Sequence, residues 1–190
     1  MKFISLLFIL IIAIAPQLWS QDGNAEKQLP IRIGAQLQVY PAGIIPVITA
    51  EIPLTYTSSL LLRAGLNIAD RKNFSPYNDH ESGQAYGGTI GLRKSWAKKK
   101  AAIKGGLNCD LWNMTINWSN NIGQINETRG STHTFVVQPY IDCGYYYPLG
   151  NRIEASGGLG FGREINVITE GKKVAQGWMG SLLIGLSVKL

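Results

Sequence analysis

Residues 31–40 read IRIGAQLQVY. Ile31, Ile33, Ala35, Leu37 and Val39 fall on one parity, and Arg32, Gly34, Gln36, Gln38 and Tyr40 on the other. Strict alternation predicts a β-strand with two unlike faces. Apolar-in would make an ordinary soluble protein; apolar-out would make a barrel in a membrane. The same alternation recurs over 46–54, 60–69, 84–93, 101–112, 132–147, 152–162 and 176–190. These segments of about 10 residues have the length needed to cross a bilayer at a tilt. None carries a sustained helical period, so no helix is expected after the N-terminal segment.

The connections sort by length. Counted from the N-terminus, the second, fourth and sixth (TYTSS, SWAKKK, YPLGN) are short, whereas the third, fifth and seventh (Asp70–Ser82, Ser119–Ser131 and Arg163–Ala175) are long. The first, PAGII, is short. Short periplasmic turns alternating with longer external loops are the pattern of an outer-membrane barrel. A soluble sandwich has no reason to sort its loops this way.

Composition and the N-terminus agree with export. MKFISLLFILIIAIAPQLWSQ opens with Lys2, continues with an apolar run from Phe3 to Ala15, and reaches a small residue at Ser20. That is the layout of a secretory signal peptide. The expected organisation is a signal peptide over 1–20, a flexible leader over 21–30 and a barrel over 31–190. The apolar run is too short to span a bilayer as a helix. Charged residues make up only 16% of the chain and there are 22 glycines, which argues against a highly charged disordered protein. The net charge of +6 comes partly from the run Trp96–Lys100, read as a solvated turn. No basic stripe accompanies it, so no nucleic-acid partner is expected.

The glycines choose between the faces. Gly34, Gly65, Gly87, Gly91, Gly106, Gly144, Gly158, Gly160, Gly162 and Gly185 all lie on the polar parity. A face toward bulk water has no use for them, because glycine weakens a strand. A crowded barrel interior does, because small residues make room for large ones. The polar face is therefore expected inside and the Leu/Ile/Val face in lipid. Trp96, Tyr145 and Tyr147 are expected as one interfacial girdle, with Trp118 and Trp178 as the other.

An eight-stranded barrel is just wide enough for side chains to fill. The inward charges are Arg32, Glu51, Arg63, Arg93, Lys104, Asp110, Asp142 and Glu154, with Arg152 and Lys189 at the rim. They are expected to form a salt-bridged plug in the periplasmic half, with Gln36, Gln38, Asn67, Asn108 and Gln138 in the outer half. A turn centred on Thr57 would place Glu51 opposite Arg63. Cys109 and Cys143 fall on adjacent strands, nearly opposite if the hairpin turns near Ile125. The exported compartment would permit a disulfide between them. Nothing resembles a zinc motif or a phosphate loop, and no metal, cofactor or catalytic residue is assigned. A lipid-modifying enzyme would need a Ser, a His and an acidic residue gathered at the outer leaflet. The two histidines, His80 in HES and His133 in STH, are better read as chance occurrences, so no enzyme is expected.

The chain ends on a strand alternating to its last residue. Gly185, Val188 and Leu190 resemble the C-terminal signal read by the bacterial barrel-assembly machinery, with Leu in place of the usual Phe and Leu183 where a polar residue is usual. With the signal peptide and eight strands, residues 31–190 resemble the small outer-membrane β-barrel domain family of the OmpA, OmpX and OmpW kind, or PorT-like barrels. The resemblance implies an all-β, eight-stranded antiparallel up-and-down transmembrane barrel in the bacterial outer membrane. Its implied partners are outer-membrane lipid and the assembly machinery, as a monomer, with an extracellular ligand engaged through the external loops. The expected role is structural or adhesive; a narrow porin-like channel is the alternative, and an outer-leaflet lipid enzyme comes third.

Overall fold

The computed structural model describes residues 29–73, 76–98 and 101–190. The expected signal peptide and most of the leader lie outside the described residues. Eight strands follow in order: β1 (Arg32–Tyr40), β2 (Gly43–Pro53), β3 (Ser58–Lys72), β4 (His80–Lys98), β5 (Ala101–Asn120), β6 (Thr128–Pro148), β7 (Ile153–Glu170) and β8 (Gly177–Lys189). Each pairs antiparallel with the next, and β8 pairs with β1 to close the barrel. Closure leaves no strand edge unpaired along the shared lengths. At one end lie Ile31, Leu190 and the β2–β3, β4–β5 and β6–β7 connections, here the turn end. The other four connections form the loop end.

Parity sets the two surfaces. Leu66, Leu92, Leu107, Ile141, Leu159, Ile184 and their outward neighbours are exposed, while Gln38, Glu51, Arg63, Asp110 and Gln138 are buried inside. Such a surface is apolar where a soluble protein would be polar, and its natural solvent is hydrocarbon. The inward glycines make the room the lumen needs. A Cβ on Gly106 would lie 2.7 Å from Asp142 Oδ1 and 3.1 Å from Arg93 Cγ.

The strands run well past the boundaries expected from the pattern. The three segments expected as long loops are each partly strand: β3 reaches Lys72, β4 begins at His80, β5 and β6 flank residues 121–127, and β7 reaches Glu170. The first connection shrinks to Pro41 and Ala42, because Gly43 opens β2. On β5 the difference comes from a reversal of polarity along the strand. Up to Leu111 its apolar residues point outward; beyond that point Trp112, Met114 and Ile116 are buried inside, and Asn113, Thr115 and Asn117 face out. The strand leaves the apolar belt and continues as a soluble barrel wall. Trp118, expected in the outer girdle, shares the inward parity and packs against this second core of Tyr40, Ile45, Trp112, Met114, Ile116 and Val136.

Two registers also differ from expectation. The β2–β3 ladder pairs Glu51 with Leu61 and Thr49 with Arg63, so Glu51 and Arg63 are not opposite one another. In the β5–β6 ladder Cys109 faces Pro139 and Cys143 faces Gly105. The two thiols sit four residues apart along the ladder, beyond disulfide reach, and both are free.

Candidate functional site

The lumen is filled by three tiers of polar side chains. Nearest the turn end, Glu51 is the hub. Lys104 Nζ donates to its two carboxylate oxygens at 2.9 and 3.1 Å and to Glu154 at 3.2 Å. Arg32 stands 3.6 Å from Glu51 and 3.9 Å from Glu154. Arg93 lies 3.8 Å from Glu51 and donates to Asp142 at 2.9 Å. Ser59 adds a hydroxyl donor to Glu51 at 2.9 Å. Arg32, Arg93 and Lys104 thus meet Glu51, Asp142 and Glu154 with charge balanced, and the Tyr146 ring lies 4.2 Å from Lys104 Nζ.

The middle tier is one saturated guanidinium. Arg63 donates to Asp110 at 3.0 Å, Thr89 at 2.8 Å, Gln36 at 2.9 Å, Gln38 at 3.1 Å and the Tyr140 hydroxyl. Thr89 in turn donates to Asp110 at 2.6 Å. A buried charge held this way avoids most of the penalty for leaving water.

Gln138 of the third tier was expected inside, but its charged members Arg71, Glu81 and Glu164 were not legible in the sequence, because they fall in the segments 70–82 and 163–175 expected as loops. Arg71 donates to Glu164 at 3.1 Å and stands 3.7 Å from Glu81. Asn78 donates to Glu81 at 2.7 Å, Gln138 to Glu164 at 3.2 Å, and Trp112 Nε1 to Gln138 at 3.0 Å. Residues 171–176 fold into the barrel mouth over this tier. The Ala175 N–H donates to Glu81 at 3.1 Å, and Val174 and Ala175 are both buried. The outer half is thus charged and partly apolar, where uncharged polar residues alone were expected.

Between these tiers little space remains. The cavity lined by Arg32, Gln36, Glu51, Arg93 and Tyr146 measures about 20 Å³, room for about one water. At the loop end, Glu127 accepts from the Gly123 N–H at 3.0 Å and from Arg129. The backbone donor, then the guanidinium, hold its carboxyl below the usual range.

The other residues singled out in the sequence fall outside the lumen network or at its rim. Gly185 lines the wall opposite Gln36, while Val188 and Leu190 are exposed and the Leu190 N–H donates to the Ile31 carbonyl at 2.9 Å. His133 contacts Thr115 at 3.2 Å. His80 Nε2 lies 2.7 Å from Asp70 Oδ1. Ser82 sits two residues further along β4 on the same outward parity, opposite Asp70 in register. That grouping needed the β3–β4 pairing to be seen. No group of metal-ligating side chains occurs among the described residues.

No protein-family model and no curated protein matches the sequence. Solved structures do match. Neisserial surface protein A aligns over 86% of this chain and 98% of its own at 10% identity, with a TM-score of 0.58. A major outer membrane protein from Thermus thermophilus aligns over 84% of this chain and 98% of its own at 12% identity, with a TM-score of 0.59. The fold is that of small outer-membrane β-barrels.

Proposed function

We propose that the chain is an exported, monomeric barrel of a bacterial outer membrane, with its loop end outside the cell and a structural or adhesive role carried by that end. The observation that carries this reading is the polarity reversal on β5. Apolar residues face out up to Leu111 and polar residues face out beyond it, so the barrel is built for hydrocarbon along one part and water along the other. The elongated β5–β6 hairpin then projects Ile122 and Ile125, both exposed, at its tip beside Arg129. The filled lumen favours this role over a solute channel. Gly185, Val188 and Leu190 suit recognition by the barrel-assembly machinery. Replacing residues 121–127 by a two-residue turn tests the adhesive role. Loss of surface attachment with the barrel still assembled supports it; unchanged attachment and envelope integrity contradict it.

One observation favours a second reading, an outer-leaflet lipid hydrolase. The Asp70–His80 pair and Ser82 share the outward surface, the residue types of an acid, a base and a nucleophile. Release of fatty acid from membranes by the wild-type protein and none by Ser82→Ala would support it; equal release by both would dismiss it.

A further inference from the structure

The outward face of β7 and β8 carries a cation, Arg163, with no anionic partner among the described residues. Arg163 points outward between Phe161 before it and Ile165 and Val167 after it, all exposed. Its Cζ lies 5.7 Å from the ring centre of Trp178, its partner in register on β8. It joins no ion pair or hydrogen bond among the described residues. A guanidinium flanked by apolar side chains on a lipid-facing wall is costly unless an anion or water meets its donors.

An apolar groove lies beside it. Phe161 stacks on Trp178 with ring centres 5.4 Å apart and planes 7° from parallel, forming a flat aromatic shelf. Opposite Phe161 in register is Gly180. A Cβ there would meet nothing within 4 Å, so the position opens outward. β1 pairs with β8 only as far as Val39 opposite Leu182. The wall therefore steps down beside Gly180. The resulting shallow groove, open to the outside, is lined by Val39, Ile141, Leu159, Phe161 and Leu182.

We propose that this face holds one phosphate-bearing acyl lipid, with its headgroup on Arg163 and an acyl chain along the groove at Gly180. The proposal rests on the membrane reading above. Arg163 supplies charge-assisted donors of the kind that bind phosphate in a fork. The shelf and groove supply apolar area to the chain. Charge and shape thus select an amphiphile over a free anion or a neutral lipid.

The test is native mass spectrometry of the protein purified from membranes. The probes are phosphatidic acid, diacylglycerol with the same acyl chains, and inorganic phosphate. Wild-type protein should retain one phosphatidic acid in preference to diacylglycerol. Arg163→Gln and Gly180→Leu should each weaken retention about tenfold, the first by removing the charge and the second by filling the groove. Both variants should still change gel mobility on boiling, as intact barrels do. Equal retention of the two lipids, unchanged retention in either variant, or displacement of the lipid by inorganic phosphate would overturn the proposal. A wild-type protein that shows no such mobility change would instead contradict the membrane reading on which it rests.

Discussion

Arg63 shows how much one residue carries in a lumen this narrow. Its partner Asp110 is fully buried, so truncating the arginine leaves a carboxylate with no cation. Arg63→Met should destabilise the barrel by about 3–5 kcal/mol, read as a lower denaturant midpoint in micelles. Arg63→Met with Asp110→Asn should recover most of that loss, because the stranded charge is gone. An unchanged midpoint in the single variant would contradict the account. Lys104→Met should cost less, since Arg32 and Arg93 remain within 3.8 Å of Glu51. The inward position of these charges was legible in the sequence, but their partners were not. Moving a strand by two residues preserves every side chain's face, so the apolar pattern cannot detect the shift that separates Glu51 from Arg63. Partners across the lumen, such as Lys104 for Glu51, depend on closure of the whole ring.

At the scale of the strand, β5 explains both what the pattern revealed and what it hid. Its first half was legible because apolar residues face lipid. The alternation stops being readable at Trp112 because Trp112, Met114 and Ile116 put apolar side chains on the other parity, so the expected strand ends there although β5 runs on to Asn120. Gly87 on β4 faces Trp112 in register, and a Cβ there would come 2.8 Å from the indole ring. Gly87→Val should therefore cost about 1–3 kcal/mol through overpacking. Gly157→Ala, with open space at its Cβ, serves as the control and should be near neutral; equal effects would dismiss the packing argument. The same ladder keeps Cys109 and Cys143 apart, so oxidant should leave gel mobility as it is in reductant, and a faster oxidised band would contradict the register. In the 121–127 loop, the lowered Glu127 pKa means its contribution is present above the ordinary carboxylate range and lost as pH falls through the folded value. Hydrogen exchange of the Gly123 amide should accelerate relative to its intrinsic rate over that fall, and Glu127→Gln should abolish the transition. A pH-independent protection factor in the wild type would contradict the assignment.

For the molecule as a whole, strand number, antiparallel order and the outward apolar face were legible because each follows from local parity and turn spacing. The sealing of the mouth was not, because the Ala175 N–H meets Glu81 only once the barrel has closed. Three tiers and a second core fill the lumen, so the purified protein in planar bilayers should give no pore-sized conductance. Large, stable open steps would contradict the plug. That the apolar face looks into lipid is tested by fractionating expressing cells and running the detergent-extracted protein on a gel with and without boiling. Recovery in the outer-membrane fraction and a mobility change on boiling are expected; a soluble protein with one mobility in both lanes would mean that the apolar face does not look into lipid.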